Sequence, residues 1–230
     1  MIEVKNISKK YGKTHILNDI SFNIEKGDCI GIIGANGKGK STLLSILAGT
    51  VRPDCGEFII NNKNAFRHKH LISELIGYCP QDNPLINELT VLDNLKLWYC
   101  NSKVGLDKEL DEGVLHYLNI DKMLKKTVKQ LSGGMKKRLS IGIAMANHPP
   151  ILILDEPGTA LDMACKDDIN RYLRHYLDIG GTVIISTHDE NEIKLCNRLL
   201  FLQNQMIKEI SAGITPDELI TMIKEDVPYA

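Results

Sequence analysis

One short stretch, GANGKGKST at Gly34–Thr42, restricts the folds open to this chain more than any other feature. It fits the pattern G-x-x-x-x-G-K-[ST], the apolar run CIGII comes directly before it, and the helix-forming run LLSILAG follows it. Glycines let backbone N–H groups close around a phosphate, and a strand, loop and helix in this order present those groups together. The alternative is a glycine-rich turn that only caps a helix, and the two flanking elements argue against it. The sequence therefore predicts a phosphate-binding P-loop.

Two side chains of this loop carry most of its predicted chemistry. Lys40 is expected to reach the β- and γ-phosphates of a nucleotide, and the Ser41 hydroxyl is expected to ligate Mg²⁺. Lys38 adds a second cation, which either strengthens phosphate binding or points to solvent; solvent is the favoured interpretation for a long flexible side chain. The residues expected to contact the nucleotide here are Gly34, Ala35, Asn36, Gly37, Lys38, Gly39, Lys40, Ser41 and Thr42.

A second apolar strand, ILIL at Ile151–Leu154, ends in two carboxylates. Asp155 leaves the sheet beside the loop and is expected to hold Mg²⁺ through water. Glu156 comes next, near the expected position of the γ-phosphate, where it could orient or deprotonate the attacking water. Acidic residues at strand ends are common, so this pair points to nucleotide hydrolysis only in combination with the P-loop.

The sequence favours adenine over guanine as the base. The nearest match to the guanine-reading pattern N-K-x-D is NKNA at Asn62–Ala65, which lacks the carboxylate. Tyr11 is predicted to lie in a glycine-containing turn between two short strands, from which its ring could stack on adenine. A surface aromatic residue without a ligand is an equally good interpretation of Tyr11 taken by itself.

Hydrophobic patterning predicts an α/β protein. Alternation in Ile16–Ile24 and Gly56–Asn62 predicts antiparallel strands, whereas the continuous apolar runs CIGIIG, ILILD and TVIIS are typical of buried parallel strands. Residues 81–149 show helical periodicity, so we expect a helical sub-domain inserted between core segments 1–80 and 150–230. The capping-box sequence TPDE predicts a final helix over Pro216–Lys224.

Composition and charge exclude several classes of protein. The net charge of −1 gives no general electrostatic case for binding nucleic acid, and the six single cysteines have no zinc-site spacing. They are expected to be reduced thiols of a cytosolic protein. The longest apolar runs are far below the ~18 residues of a membrane helix, so a membrane role requires spans supplied by another chain.

With these residues assembled, the sequence resembles the ATP-binding subunit of ABC (ATP-binding cassette) transporters over essentially its whole length. The resemblance implies a P-loop NTPase fold with a RecA-like core, an antiparallel β sub-domain and an inserted helical sub-domain. The family's motifs occur in their usual order: Tyr11 as the A-loop aromatic residue, Gly34–Thr42 as the Walker A motif, Gln81 as the Q-loop, Ser132–Gly134 as the signature motif, Ile151–Glu156 as the Walker B motif, Ala160–Asp162 as the D-loop and His188 as the switch histidine.

The resemblance implies a dimer in which two cassettes pair head to tail, with each ATP held between the Walker A motif of one and the signature motif of the other. Ser132, Gly133 and Gly134 are then expected to face the γ-phosphate of the partner's ATP, at a helix that begins near Gly134. Three further roles follow from the family: Gln81 as a sensor of Mg²⁺ and the γ-phosphate, His188 as a γ-phosphate contact that aligns water with Glu156, and Asp162 as a residue that crosses the dimer interface.

Departures from the family pattern point to one branch of it. Met135 stands where most members have Gln, which resembles cassettes of ABC-2-type exporters for drugs, antibiotics or peptides. LQNQMI at Leu202–Ile207 lacks the usual turn glycine, which implies a different hairpin.

We therefore expect a cytosolic ATPase at the inner face of the membrane that uses Mg²⁺ and ATP and binds no nucleic acid. Its expected partners are a second cassette, most simply a copy of itself, and separate permease subunits. A soluble ABC ATPase that remodels ribosomes or DNA, and a low-turnover immunity or regulatory module, are the alternatives.

Overall fold

The computed structural model describes residues 2–225, which form two β-sheets and a set of helices. The strands are β1 (Ile2–Tyr11), β2 (Thr14–Ile24), β3 (Cys29–Ile33), β4 (Cys55–Ile60), β5 (Lys63–Asn64), β6 (Ile76–Cys79), β7 (Ile151–Asp155), β8 (Thr182–Ser186), β9 (Arg198–Gln203) and β10 (Met206–Ile210). The helices are α1 (Lys40–Leu47), α2 (Lys69–Leu75), α3 (Val91–Tyr99), α4 (Leu106–Asp111), α5 (Val114–Tyr117), α6 (Gly133–Ala144), α7 (Met163–Asp178), α8 (Glu190–Ile193) and α9 (Pro216–Glu225).

The larger sheet has the strand order β10-β9-β3-β8-β7-β6 and is parallel except for β10, which pairs antiparallel with β9. Every residue of β3, β7 and β8 is buried, which explains why these strands are continuous apolar runs. Because the strands are parallel, their carboxyl ends meet at one edge of the sheet. The loops that follow Ile33, Asp155 and Ser186 are therefore neighbours.

Two hydrophobic cores cover the two faces of this sheet. Ile153 and Ile184 join the core that contains helix α1 and the antiparallel strands, whereas Leu152 and Val183 join the core that contains helices α3, α6 and α7. Successive side chains of a strand point to opposite faces, so each central strand contributes to both cores. The expected α/β architecture is confirmed.

The smaller sheet is antiparallel, with the order β2-β1-β4-β5. The predicted strands at 16–24 and 56–62 are found as β2 and β4. The turn after Tyr11 lies between strands of 10 and 11 residues, so the expectation of two short strands was wrong. Gly12 has φ 59°, a conformation that glycine adopts at little cost.

Between Pro80 and Pro150 the described chain forms helices α3 to α6, two 3₁₀ turns and one isolated bridge, Thr90 to Thr127. The division into sub-domains at 81 and 149 stays a prediction. Helix α6 approaches strand β6 closely, because a Cβ atom on Gly77 would lie 2.4 Å from the carbonyl oxygen of Ala144.

The end of the described chain follows the sequence prediction. The β9–β10 turn has Asn204 at φ 49° and Gln205 at φ 67°, so two residues other than glycine make a turn of positive φ. The amide of Glu218 donates to Thr215 Oγ1 (3.3 Å), and the amide of Thr215 donates to Glu218 Oε2 (2.9 Å), which is the predicted capping box of α9.

No helix within residues 2–225 has the length and apolarity to cross a membrane.

Candidate nucleotide-binding and catalytic site

Gly34–Gly39 forms the loop between β3 and α1 that the sequence predicts, and Lys40–Thr42 form the first residues of α1. Gly34, Gly37 and Gly39 have φ values of 154°, 79° and 107°. A Cβ atom on Gly34 would lie 2.5 Å from the carbonyl oxygen of Leu202, and one on Gly39 would lie 2.7 Å from Ile16 Cγ2. Gly39 is the N-cap of α1 and has no side chain to bond the first-turn N–H groups, which suits the binding of an anion there.

Lys40 places a buried ammonium group at this loop. Lys40 is 5% exposed, and its Nζ donates to the carbonyl oxygens of Gly34 (2.8 Å) and Ala35 (3.3 Å) and to His188 Nε2 (3.1 Å). Burial lowers the pKa of Lys40, and the nearby carboxylates of Glu156 and Asp155 oppose that shift. These three acceptors match the three donors of the ammonium group. A phosphate oxygen would have to replace one of them.

Glu156 turns its carboxylate toward Lys40. Its backbone has φ 46°, a sparsely populated conformation for a glutamate, and its amide donates to both the carbonyl oxygen and Oγ of Ser186 at 3.0 Å. Glu156 Oε2 accepts from Gln81 Nε2 (3.4 Å) and Thr159 Oγ1 (3.1 Å), and Oε1 lies 4.0 Å from Lys40 Nζ. The Glu156 backbone is therefore strained, and the surrounding donors hold its carboxylate in a defined position.

His188 completes this group of side chains. Its Nε2 lies 3.9 Å from Glu156 Oε1 in addition to the bond from Lys40. Burial lowers the pKa of His188, the positive charge of Lys40 lowers it further, and Glu156 opposes both effects. A neutral imidazole that accepts a hydrogen bond at Nε2 carries its own proton on Nδ1.

Oxygen ligands suited to Mg²⁺ lie beside the loop. Asp155 is 2% exposed, and its Oδ1 accepts from Ser186 Oγ (2.5 Å), while Ser41 and Gln81 line the cleft over the P-loop. Hydroxyl, carboxylate and amide oxygens are the ligand types that Mg²⁺ prefers. Within residues 2–225 no cluster of three or more His, Cys, Asp or Glu side chains could hold a metal ion unaided. These residues fit an ion that also takes ligands from nucleotide phosphates and water.

The cleft over the loop has a volume of about 510 Å³. Tyr11 lies on its rim with 52% of its surface exposed, a position from which its ring could stack on a base. The chain therefore brings Tyr11 to the P-loop, although its contact with adenine stays a prediction. The side chains and loop residues that line the cleft are Tyr11, Ile16, Asn36, Gly37, Gly39, Lys40, Ser41, Thr42, Gln81 and Glu156.

The signature residues do not line this cleft. Ser132 caps helix α6, its Oγ accepting from the amide of Met135 (3.3 Å), and the helix begins at Gly133, one residue before the expected start. Asp162 caps helix α7 by accepting from the amide of Cys165 (2.8 Å). A Cβ atom on Gly134 would lie 2.3 Å from Cys165 Sγ, so the two helix starts are in close contact. The chain thus presents two separate groups of predicted nucleotide contacts.

Sequence reasoning missed several residues of the site. Ser186 bonds both Asp155 and the amide of Glu156, and Thr159 bonds the Glu156 carboxylate. The position of Ser186 at the end of an apolar strand was a usable signal, because a polar residue there faces the same sheet edge as Asp155.

Comparisons with known proteins agree on one family. The sequence model of the ABC transporter family matches residues 17–159. The chain is 32% identical over 224 residues to Nod factor export ATP-binding protein I of Ralstonia nicotianae, a match that covers 96% of this chain and 69% of the relative. It is 34% identical over 211 residues to the linearmycin resistance ATP-binding protein LnrL of Bacillus subtilis, a match that covers 90% of this chain and 68% of the relative.

Solved structures give the same result. A dimeric ATP-binding cassette in a post-hydrolysis state, bound to ADP and Pi, superposes with a TM-score of 0.83 at 28% identity, covering 94% of this chain and 100% of that one. An ATP-binding subunit of an ABC transporter superposes with a TM-score of 0.85 at 24% identity, covering 97% and 99%, and this second likeness concerns the fold alone.

Proposed function

Because this chain belongs to the ABC transporter family, as an ATPase subunit, we propose that it works as one of two cassettes that drive a separate membrane permease, in the direction of export. The observation that carries the proposal is that the side chains of Lys40, Gln81, Glu156 and His188 meet at the P-loop, at the distances given above. Ser132–Gly134, in contrast, does not line the cleft over the P-loop. A chain arranged in this way holds two incomplete halves of a nucleotide site.

In the proposed reaction, water attacks the γ-phosphate of ATP in line with the leaving oxygen. Glu156 orients this water and takes its proton, and Lys40 neutralises charge on the β- and γ-phosphates. His188 contacts the γ-phosphate and keeps the water aligned with Glu156. Ser41 and Gln81, and Asp155 through water, would hold Mg²⁺, which would supply positive charge beside the phosphate oxygens.

Dimerisation is proposed because each half-site needs a second molecule. The N-terminus of α6, with Ser132 as its cap and glycines in its first turn, would face the γ-phosphate of the partner's ATP. A cassette similar to this chain has been solved as a dimer with ADP and Pi. Asp162, close to that helix start, would lie at the interface. Loss of the γ-phosphate on hydrolysis would then separate the two cassettes.

Export is proposed from the relatives and from Met135. Relatives that share about a third of the sequence are described as Nod factor export and linearmycin resistance subunits. We propose a drug, peptide or similar compound as the cargo, with the chain bound to its permease at the inner face of the cell membrane. The alternatives are a soluble ABC ATPase outside transport and a low-turnover immunity or regulatory module. Co-purification of a permease from detergent extract supports transport, whereas co-purification of ribosomal RNA contradicts it.

The variant Glu156→Gln tests the catalytic assignment. An amide cannot take the proton of the attacking water, so ATP hydrolysis should fall by about a hundredfold or more while ATP binding persists. Size-exclusion chromatography with light scattering should show a stable dimer with ATP and Mg²⁺. The control is Glu112→Gln, at a side chain that is 71% exposed, which should hydrolyse ATP normally. A Glu156→Gln protein that turns over ATP at the normal rate and stays monomeric would contradict the proposal.

A further inference from the structure

Lys137 is a buried lysine that the ATP-binding motifs leave unexplained. It lies on helix α6 and is only 4% exposed. Its Nζ donates to the backbone carbonyl oxygens of Pro80 (3.0 Å) and Gln81 (2.9 Å). Burying an ammonium group costs free energy unless hydrogen bonds compensate, and bonds from a charged donor are the strong ones. This cation therefore fastens α6 to the start of the loop that carries Gln81.

The two ends of this connection belong to different half-sites. Helix α6 begins at the signature residues, with Ser132 as its cap, and the helix backbone makes Lys137 move together with that cap. At the other end, the Gln81 side chain donates to Glu156 Oε2 (3.4 Å) in the P-loop cleft. A continuous path of covalent and hydrogen bonds thus runs from the signature helix, through Lys137 and Gln81, to Glu156.

We propose that Lys137 is a positioning residue that couples the signature motif to Gln81. When the signature motif closes on the ATP bound to the partner, Lys137 would position Gln81 against Glu156 at the ATP bound to the chain's own P-loop. The inference rests on the proposed function, since it assigns Gln81 and Ser132 to two composite ATP sites. Lys137 does not line the cleft over the P-loop. It acts through the backbone of Gln81, whose carbonyl oxygen it holds while the Gln81 amide faces Glu156.

A double-mutant cycle separates this role from a merely structural one. Lys137→Met keeps the length and apolar stem of the side chain and removes the donors. Gln81→Ala removes the amide that meets Glu156 but keeps the carbonyl oxygen that Lys137 binds, so a purely structural effect of Lys137 would persist in that background. Steady-state kcat and KM for ATP are measured for the wild type, both single variants and the double variant.

We expect Lys137→Met to lower kcat about tenfold, with KM for ATP within about twofold, in the wild-type background. In the Gln81→Ala background the same substitution should lower kcat less than about twofold. The matched control, Lys136→Met, changes the neighbouring and more exposed lysine and should leave kcat unchanged. An equal loss of kcat in both backgrounds overturns the inference. If Lys137→Met does not fold, Lys137→Gln, which keeps one donor group, passes through the same cycle.

A second measurement does not depend on ATP turnover. Amide hydrogen exchange across residues 81–85 should speed up in Lys137→Met and not in Lys136→Met, because only the former frees the loop from α6. Unchanged exchange in Lys137→Met overturns the connection itself. A wild-type protein that hydrolyses no ATP, or a Gln81→Ala variant as fast as the wild type, contradicts the proposed function instead, and the exchange result still decides whether Lys137 holds the loop.

Discussion

Glu192 is a carboxyl group that the protein buries behind the candidate site. It is 2% exposed and accepts a bond from Thr187 Oγ1, one residue before His188. A Cβ atom on Gly158 would lie 2.5 Å from Glu192 Oε1, so this carboxyl also packs against the segment that follows Glu156. Burial raises the pKa of Glu192 to about 7. The Thr187 bond and Lys166 oppose that rise, while Asp189 and Glu156 add to it.

This raised pKa makes stability depend on pH. The folded protein binds the Glu192 proton more tightly than the unfolded chain, whose ordinary pKa is 4.5, so the stabilising contribution is full below pH 4.5 and is lost as pH rises to about 7. The loss amounts to at most about 3 kcal/mol. In Glu192→Gln the side chain stays neutral, so we expect the variant to gain free energy of unfolding relative to the wild type over that range. Urea unfolding at pH 5 and pH 8 measures it.

The control for this prediction lies on the same helix. Glu190 has a side chain that is 64% exposed, and Glu190→Gln should follow the wild-type pH profile. Parallel profiles of Glu192→Gln and the wild type would show that ionisation of Glu192 carries no such cost.

Helices α6 and α7 meet at their N-terminal ends, and the two glycines in the first turn of α6 differ there. A Cβ atom on Gly134 would lie 2.3 Å from Cys165 Sγ, whereas one on Gly133 would lie 3.7 Å from Leu161 Cδ2, an ordinary contact. Gly134→Ala should therefore lower the free energy of unfolding by about 1–3 kcal/mol. Gly133→Ala should leave stability unchanged or raise it slightly, because alanine favours a helix.

Urea unfolding of the two alanine variants checks this prediction. Adding Cys165→Gly to Gly134→Ala removes the clashing sulfur and should return part of the lost stability. Equal effects of the two alanine substitutions would mean that the two helices separate freely, and that the contact of Gly134 with Cys165 does not fix them.

The elements that the sequence predicted are those with local signals. Strands β3, β7 and β8 were visible as apolar runs, and α9 was visible from its capping box. Helix α2 gives no such local signal, because the basic residues RHKH at Arg67–His70 span its start and only Ile72 of the helix is buried. The bonds of Lys137 to Pro80 and Gln81 could not be predicted, since they join segments that meet only when the chain has folded.

The candidate site shows the same difference between residues with a local sequence signal and contacts that form only in the folded chain. Lys40, Asp155 and Glu156 belong to motifs that follow strands β3 and β7, on either side of β8, and the structure brings them together. The positive φ of Glu156 and the bonds of Ser186 have no counterpart in sequence pattern, because both depend on the path of the chain after the strand ends. The buried state of Glu192 depends in the same way on its packing against Gly158.

At the scale of the whole molecule, the prediction concerns two chains. In a background where the exposed Cys55 and Cys100 are replaced by serine, cysteines at Asn36 and Ser132 should be joined by a short bifunctional crosslinker between chains. Joining should require ATP, because in the proposed dimer the nucleotide lies between the P-loop of one chain and the signature turn of the other. Denaturing electrophoresis measures the covalent dimer. Either cysteine alone should give none, and products joined within one chain, or none with ATP, would contradict the paired arrangement.

The location of the P-loop and the Ser132–Gly134 turn in different parts of the chain has a genetic consequence for the proposed head-to-tail dimer. If one subunit carries a substitution in its P-loop and the other carries one in its signature turn, both substitutions inactivate the same ATP site and the second site stays intact. If one subunit carries both substitutions, each ATP site loses one half, even when the other subunit is wild type. Inheritance in cis and in trans would then differ, with the trans arrangement the milder one.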